Sequence, residues 1–401
     1  MLRTAPGAST ARALACLLLT ACGRSEPTPA PTATIPAIAP AIAPAAPDRR
    51  AACLARNHDA PARYLGLMRA FCADHHNLGN VGASLAVAEG GVVRFTATAG
   101  QRCVDGPDVT IDTGFRLGSV SKLLTTALAL HFVDGHRLDL DASLLDLLPE
   151  LAGAADPRHQ AISLRQLLAH TAGLGDPHPA ELGTDWLPAL LERPLLADPG
   201  HERHYANSGY ALVGRMLERL GDRPYPDLLQ LHLLAPLGLR RITADPDLAL
   251  HHDPACGHLG RGARVLALDV VHDLELGAAG ARWTAAAGGV IAPATDLAQL
   301  ILGLVDPLRS PLSPSAIATL TTPESPSGHA LGLRTRTLPG GATLLLHAGD
   351  TGDFAADLAF APDRGFVIVI LGNTGDHLQA TLAVALTDLL AMPPAAIHGT
   401  R

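Results

Sequence analysis

The sequence predicts an α+β fold in which strands near the two ends of the chain form one antiparallel sheet that is flanked by helices. Two observations lead to this prediction. Apolar runs of strand length, joined by tight turns, occur near both ends. The residues between them carry helical patterns, so we expect a helical lobe inserted between the two halves of the sheet. The apolar fraction of 48% is sufficient for a large buried core.

The strands are predicted from two β-hairpins. Residues 81–88 and 92–99 flank a turn that contains two glycines, and they form the first hairpin. Residues 354–360 and 366–371 form the second, and residues 343–347 precede it as a further strand. Because residues 366–371 are almost all apolar, we expect them at the centre of the sheet, where both faces are covered.

Five segments have the features of helices. The first covers residues 119–132, and the second begins with a capping box at residues 163–166. Two more cover residues 208–220 and 294–305. Asp376 is predicted to cap the last helix, which follows the second hairpin.

The first residues have the layout of a secretory signal. Two arginines precede an apolar run that is too short to span a bilayer. The run ends at Leu19-Thr20-Ala21-Cys22, which resembles the bacterial lipobox, whose cysteine is acylated and becomes the mature N-terminus. We therefore predict a lipoprotein signal peptide at residues 1–21 and lipidation at Cys22. The alternative is an ordinary signal peptide that is cleaved nearby.

A proline- and alanine-rich segment, residues 22–50, follows this signal. Its composition favours extended polyproline II, which acts as a semi-rigid tether. We predict that the remainder of the chain consists of an N-terminal extension at residues 51–74, a main domain at residues 75–392 and a tail at residues 393–401. The glycine after Cys22 resembles an outer-membrane sorting signal. We therefore expect a lipid-anchored protein on the periplasmic side of the bacterial envelope, whose only membrane contact is the anchor.

Charge and cysteine content narrow the possible partners. The net charge of −8 and the lack of a basic run argue against nucleic acid. The four cysteines after Cys22 allow up to two disulfides in an oxidising compartment, in any of three pairings; they are Cys53, Cys72, Cys103 and Cys256. No cysteine or histidine cluster has metal-ligand spacing, so we expect neither a metal nor a cofactor. The oligomeric state stays open.

The most informative side chain is Lys122, because it is the single lysine of the chain and every other basic residue is arginine. An arginine cannot release its proton at working pH, whereas a lysine can. Lys122 follows Ser119 by three residues, which places both side chains on one face of a helix. A neutral amine in this position can take the serine proton and make the serine a nucleophile.

Two further motifs follow Ser119-Val120-Ser121-Lys122 in the chain. They are Tyr205-Ala206-Asn207 at a predicted helix start and His347-Ala348-Gly349 at the end of a predicted strand. Together the three motifs resemble those of the serine β-lactamase and penicillin-recognising hydrolase family, in the branch of class C β-lactamases, family VIII-type esterases and D-stereospecific peptidases. The resemblance covers roughly residues 75–392 and implies a β-lactamase/DD-peptidase-like fold.

This resemblance implies a role for each motif residue. Ser119 is the acylated nucleophile, Lys122 is the amine that activates it, and Tyr205 is the phenol that exchanges protons with the serine and the leaving group. Asn207 hydrogen-bonds Lys122 and the substrate amide. His347 replaces a lysine that is frequent in the family, which weakens the fixed positive charge for a substrate carboxylate.

We also expect the environment to tune the two proton-transfer groups. Adjacent positive charge should lower the pKa of Tyr205, whereas burial and like charge should lower the pKa of Lys122.

The strand that carries Gly349 is expected to line the substrate cleft. The resemblance implies that Gly349 lets the strand approach the substrate, and that the amide of Asp350 is the second oxyanion donor beside the amide of Ser119. The acidic side chain of Asp350, with Asp353 nearby, predicts a cleft that repels carboxylates. Neutral esters or amides, or a substrate with a free amine, are then preferred.

The function predicted from these observations is that of a cofactor-free serine hydrolase that acts through an acyl-enzyme on Ser119. Its substrate is a small molecule or a peptidoglycan-type compound: a β-lactam, an ester, or a D-amino-acid peptide or amide, including D-Ala-D-Ala termini. The alternative is a non-catalytic or slowly deacylating penicillin-binding protein that serves as a cell-wall sensor.

Overall fold

The computed structural model of the protein describes residues 48–177, 186–249, 253–259, 266–268, 285–324 and 328–391. The strands are β1 Gly82–Glu89, β2 Val92–Gly100, β3 Phe115–Arg116, β4 Gly257–Leu259, β5 Leu266–Leu268, β6 Ile291–Ala292, β7 His329–Ala330, β8 Leu333–Thr337, β9 Thr343–Asp350, β10 Ala355–Ala361 and β11 Phe366–Gly372.

The largest sheet has seven antiparallel strands in the order β2-β1-β11-β10-β9-β8-β7. The first hairpin, β1–β2, therefore pairs directly with β11 from the other end of the chain. The smaller pairs β3–β6 and β4–β5 lie outside this sheet. The predicted fold class is confirmed, since one antiparallel sheet combines strands from both ends.

Strand β11 explains why the apolar run at 366–371 has no polar alternation. Val367, Val369 and Leu371 belong to one buried hydrophobic cluster, whereas Phe366, Ile368 and Ile370 belong to another. Successive side chains of a strand point to opposite faces, so the two clusters lie on the two faces of the sheet. A strand that is covered on both faces needs apolar residues at every position, as the sequence predicted.

The α-helices cover the two faces. They are α1 Arg49–Arg56, α2 Leu65–Leu78, α3 Ser121–Asp134, α4 Leu164–Leu168, α5 Leu187–Leu191, α6 Asn207–Gly221, α7 Tyr225–Leu229, α8 Pro246–Ala249, α9 Ala294–Val305, α10 Pro314–Thr321 and α11 Gln379–Ala391. A π-helical turn covers Gln230–Leu234, and 3₁₀ turns cover Ala62–Tyr64, Gly118–Val120, Leu144–Asp146, Pro149–Gly153, Pro157–Ala161, Ala235–Leu237 and Pro362–Arg364.

Helix α3 lies at the centre of the helical lobe. Eleven of its residues are buried, because the sheet and neighbouring helices surround it. The lobe therefore holds the start of α3, with Ser119 and Lys122, against the sheet.

Helices α1, α2 and α11 cover the opposite face. Helix α1 begins at Arg49, within the predicted tether, and Asp48 caps it by accepting from the amides of Arg50 and Ala51. The predicted boundary between residues 74 and 75 falls inside α2. Both helices pack on the sheet and join the same hydrophobic cluster, as Cys53 and Phe71 do.

Most predicted helices agree with the structure. Helix α9 has the predicted bounds, α3 and α6 differ from the predictions by one or two residues, and the capping box at 163–166 is present at the start of α4.

The predicted cap of the last helix by Asp376 is wrong. Helix α11 begins at Gln379, and Asp376 lies in a preceding turn in which its amide donates to the carbonyl of Thr374. The buried carboxylate of Asp74, on α2, accepts from the amide and the hydroxyl of Thr381, each at 2.8 Å. A distant aspartate therefore caps this helix.

Two disulfides resolve the pairing that the sequence left open. Cys53–Cys72 joins α1 to α2, and Cys103–Cys256 joins the segment after β2 to the segment before β4. The second pair is separated by 153 residues and so encloses most of the helical lobe.

The predicted signal peptide, Cys22 and most of the predicted tether lie outside the described residues, as do the predicted tail 393–401 and residue 392. The described residues all belong to one compact unit. Within the described ranges, no helix has both the length and the apolar character that crossing a bilayer requires.

Candidate active site

Ser119 lies in the 3₁₀ turn Gly118–Val120 that leads directly into α3. Gly118 has a φ of +48°, a conformation that favours glycine. A Cβ atom at Gly118 would also lie 2.9 Å from the amide nitrogen of Asp350, at the end of β9. The glycine therefore allows the serine turn and the strand to approach each other closely.

The ammonium position of Lys122 is fully buried beside the serine. Lys122 is 0% exposed, and its Nζ lies 3.1 Å from Ser119 Oγ, 2.8 Å from Asn207 Oδ1 and 2.6 Å from the carbonyl oxygen of Ala287. Burial lowers the pKa of this amine to about 7, and Asp176 opposes part of the shift. We expected a neighbouring positive charge to help lower the pKa of Lys122, but no such charge contributes. Desolvation is therefore the cause of the lowered pKa.

Tyr205 completes the group around the nucleophile. Its hydroxyl donates to Ser119 Oγ at 2.6 Å, and its ring stacks on the imidazole of His170 with centroids 4.4 Å apart. Burial raises the pKa of the phenol, and the hydrogen bond that Tyr205 donates to Ser119 and the charge of Arg203 only partly oppose this shift. The expectation of a lowered pKa for Tyr205 is therefore wrong, because desolvation outweighs the adjacent positive charge. The phenol is a proton donor, and Lys122 is the better base.

Asn207 is the first residue of α6 and connects Lys122 to a residue that the sequence analysis missed. Its Oδ1 accepts from Lys122, and its Nδ2 donates to the carboxylate of Asp176 at 3.0 Å. Asp176 lies in the loop after α4 and also accepts from the amides of Asn207 and Ser208. No local signal distinguished Asp176, because it precedes its partners by about thirty residues.

His170 packs against the ring of Tyr205 and the start of α6. It is 5% exposed, and its Nδ1 accepts from the amide of Ala206 at 3.3 Å. Burial, followed by the charge of Lys122, lowers its pKa well below the ordinary value. It supports the ring of Tyr205 as a neutral imidazole.

Strand β9 brings His347, Gly349 and Asp350 to the serine turn. His347 Nδ1 donates to the carbonyl of Ala348 at 2.8 Å, and burial and the charge of Lys122 hold the pKa of this imidazole well below its ordinary value. His347 is therefore neutral and adds no fixed charge. The fold itself requires a glycine at position 349, because a Cβ there would collide with the carbonyl of Leu117 in the serine turn.

The two aspartates from which a negative cleft was expected both accept hydrogen bonds within their own loop. Asp353 is 1% exposed and accepts from the hydroxyl of Thr351 at 2.7 Å, against Gly257 and away from the cleft. The carboxylate of Asp350 accepts from the amide of Gly352 at 2.6 Å, within its own turn. Local hydrogen bonds to the loop therefore occupy both carboxylates.

Two arginines line the cleft instead. A cavity of about 260 Å³ is lined by His170, Arg203, Tyr205, Arg334 and His347, among others. The side chains of Arg203 and Arg334 are exposed at its rim, and neither forms an ion pair within the part of the chain that the structure describes. These two arginines add positive charge to the cavity, opposite in sign to the aspartates on which the expected repulsion of carboxylates rests. Nothing in the sequence separated these two arginines from the many others.

Histidine, cysteine, aspartate and glutamate side chains are the candidate metal ligands among the described residues. These residues contain no group of three or more histidine, cysteine, aspartate or glutamate side chains that could hold a metal ion. The pair His251-His252 lies outside them.

Comparison with known proteins gives the class that this fold and this Ser-Lys-Tyr arrangement define. The family model described as Beta-lactamase matches residues 67–391, so the chain belongs to the beta-lactamase family.

Individual relatives agree with this assignment. Penicillin-binding protein 4 of Amycolatopsis lactamdurans is 33% identical over 187 residues, which cover 45% of this chain and 49% of that protein. This chain thus matches about half the length of that curated relative.

Solved structures resemble the fold over most of its length. SurE superposes with a TM-score of 0.69 and 27% identity, covering 84% of this chain and 78% of SurE; a structure of SurE with D-Leu gives 0.64 and 26% over the same shares. The D-alanine carboxypeptidase AmpC from Burkholderia cenocepacia gives 0.67 and 22%, covering 81% of this chain and 98% of AmpC, and therefore supports the fold alone.

Proposed function

We propose that this protein is a serine hydrolase that forms an acyl-enzyme on Ser119. The observation that carries the proposal is the convergence of two proton-transfer groups on one oxygen: Lys122 Nζ at 3.1 Å and the Tyr205 hydroxyl at 2.6 Å from Ser119 Oγ. With a pKa of about 7, a large fraction of the amine is neutral at physiological pH. It can therefore take the serine proton as Oγ attacks a carbonyl carbon.

The remaining steps follow from the same geometry. The negative oxygen of the tetrahedral intermediate is stabilised by the amides of Ser119 and Asp350, which lie on two segments in close contact. Tyr205, a protonated phenol that faces the cleft, gives its proton to the leaving group. The proton that Lys122 took from Ser119 then returns to the phenolate, so that both groups are restored in the acyl-enzyme. Water then attacks the ester carbonyl and releases the product and free Ser119.

The charge of the cleft supports a substrate class. Arg203 and Arg334 offer guanidinium groups at the rim, and arginine pairs with a carboxylate through two parallel hydrogen bonds. The substrate therefore carries a carboxylate beside the bond that is cleaved, as D-amino-acid peptides and β-lactams do, whereas neutral esters do not. The resemblance to SurE, which has been solved with D-Leu, favours a D-amino-acid compound.

Covalent labelling tests the proposal. A fluorescent penicillin, followed by mass spectrometry of the intact full-length chain, is expected to add one acyl group to Ser119. Ser119→Ala should lose the label, whereas Ser121→Ala should keep it, because Ser121 Oγ accepts from the amide of Val290 and does not face the cleft. Labelling that persists in Ser119→Ala would contradict the proposal. The lifetime of the adduct separates a hydrolase, which turns over, from a slowly deacylating penicillin-binding protein.

We also propose that the protein is a lipoprotein on the periplasmic side of the outer membrane. The two disulfides support an oxidising compartment, because such bonds are rare in cytosolic proteins. Metabolic labelling with a palmitate analogue should mark the wild-type chain and not Cys22→Ser. Equal labelling of both would contradict lipidation at this cysteine.

A further inference from the structure

The carboxylate of Asp176 accepts three hydrogen bonds from the first two residues of α6. Its Oδ1 accepts from the amide of Ser208 at 2.8 Å, and its Oδ2 accepts from the amide and the side-chain Nδ2 of Asn207, each at 3.0 Å. Ala206, at the helix N-cap position, provides no side-chain cap. Asp176 thus supplies from another loop the acceptor that a helix N-terminus requires.

The contact with Nδ2 also decides which way the amide of Asn207 points. A carboxylate can only accept hydrogen bonds, so the NH₂ group of Asn207 has to face Asp176. The carbonyl oxygen Oδ1 then has to face Lys122, where it lies 2.8 Å from Nζ. Without Asp176, the two ends of the amide could exchange places.

The orientation of Asn207 in turn decides what the amine of Lys122 presents to the serine. A neutral amine has two hydrogens and one lone pair. The carbonyl oxygens of Asn207 and Ala287, at 2.8 and 2.6 Å, accept the two hydrogens. The third neighbour is Ser119 Oγ at 3.1 Å, so the lone pair faces the hydroxyl that has to lose its proton.

We propose that Asp176 is a positioning residue that locks the amide of Asn207 and thereby directs the lone pair of Lys122 at Ser119. This inference rests on the proposed function, because it concerns the activation of that serine. Asp176 touches neither Ser119 nor the reacting carbonyl, and its hydrogen bonds reach Lys122 through Asn207.

A second effect of Asp176 is electrostatic. Its negative charge raises the pKa of Lys122 against the larger effect of burial. The other titratable and charged groups around the amine are the phenols of Tyr205 and Tyr210, the imidazoles of His170 and His347, and the guanidiniums of Arg203 and Arg334. Both phenols and both imidazoles are neutral near pH 7, so Asp176 is the anion that faces Lys122 among the described residues.

Asp176→Asn provides the test, since it keeps the shape of the side chain and removes its charge. An asparagine at position 176 can donate a hydrogen bond to Asn207 Oδ1, so the side-chain amide of Asn207 is no longer held in one orientation. We expect the rate of Ser119 acylation to fall about 10- to 100-fold with KM within about twofold, as for the loss of a group that acts on proton transfer. The acidic limb of the pH–rate profile should move to lower pH, because the amine loses the anion that stabilises its charged form.

The single lysine allows a readout that needs no substrate. The full-length chain labelled with ¹³C at lysine Cε has one lysine resonance, whose pH titration reports Lys122 directly. Its midpoint is expected to be lower in Asp176→Asn than in the wild type. If the wild type forms no acyl-enzyme, the proposed function fails, whereas an unchanged midpoint overturns the coupling of Asp176 to Lys122.

Ser313→Ala is the matched control for a lost helix cap. Ser313 caps α10 by accepting from the amide of Ala316, far along the chain from the site residues. It should lower the melting temperature as Asp176→Asn does and leave the pH profile unchanged. A rate loss in Asp176→Asn that only follows its melting temperature, or a raised KM with normal kcat, would overturn the positioning role.

Discussion

The buried surroundings of Ser119, here called the floor, and the two arginines that line the neighbouring cavity, here called the rim, have opposite electrostatic character. At the floor, Lys122 is buried, its pKa is lowered to about 7, and its amine is held by two carbonyl oxygens and Ser119. At the rim, Arg203 and Arg334 are exposed and form no ion pair within the described ranges. The chemistry requires a basic group that has lost its charge, whereas recognition requires charges that are permanent. The choice of lysine at one place and arginine at the other follows from this difference.

Lys122→Arg should have the largest effect, because it places a permanent positive charge beside Ser119, where the wild type has an amine that can be neutral. A guanidinium stays protonated and cannot accept the serine proton. We expect kcat to fall by about 10³-fold or more, within the range attributed to general bases. Acylation is measured by stopped flow, and circular dichroism checks the fold. An arginine variant that is folded and retains more than a tenth of the activity would contradict the role of the amine.

Tyr205→Phe should lower kcat by about 100-fold, since it removes the proton donor and keeps the ring on His170. Tyr210→Phe is the matched control. Tyr210 is fully buried and donates to the carbonyl of Leu168 at 3.0 Å, so its loss should reduce thermal stability more than kcat. Equal losses of kcat in the two variants would mean that the phenol of Tyr205 serves packing alone.

The pH dependence of the acylation rate should follow the titration of Lys122, because the arginines of the rim keep their charge over the measured range. Only the neutral amine acts as a base, and its pKa is about 7. The acylation rate should therefore be constant well above pH 7 and fall about tenfold for each unit below it. The measurement is kcat/KM between pH 5 and 9 with a substrate that does not titrate in this range. A limb near pH 10 would indicate that burial does not lower the pKa of Lys122.

Arg334→Gln should have the smallest effect and should sharpen the comparison. We expect KM for a D-Ala-D-Ala peptide to rise about 10-fold, from the loss of a charge-assisted hydrogen bond, with no change for the peptide methylated at its carboxylate. Arg336→Gln is the control, since Arg336 lies two residues along β8, is exposed and does not line the cleft. If Arg334→Gln, Arg336→Gln and the wild type all show the same preference between the two peptides, the rim does not select carboxylates.

The sequence predicted what depends on local patterns. Strand β11 follows from its apolar run, the capping box of α4 from Ser163 and Gln166, and the Ser119–Lys122 pair from the spacing of one helical turn. These features need only a few neighbouring residues, so they can be read from a single chain.

The missed features depend on contacts between distant residues. Two helices, α6 and α11, are capped by Asp176 and Asp74 from other parts of the chain. No local pattern indicates such a partner, which explains the wrong cap at Asp376. The positive charge of the cavity was missed for the same reason. Asp350 and Asp353 accept hydrogen bonds within the turn after β9, whereas Arg203 and Arg334 come together only when the chain folds.

The Cys103–Cys256 disulfide has a consequence for limited proteolysis. A protease that nicks the backbone once between these two residues leaves both products covalently linked. The nicked molecule keeps its mass on a non-reducing gel and separates into two bands after thiol treatment. Intactness of the chain must therefore be judged under reducing conditions.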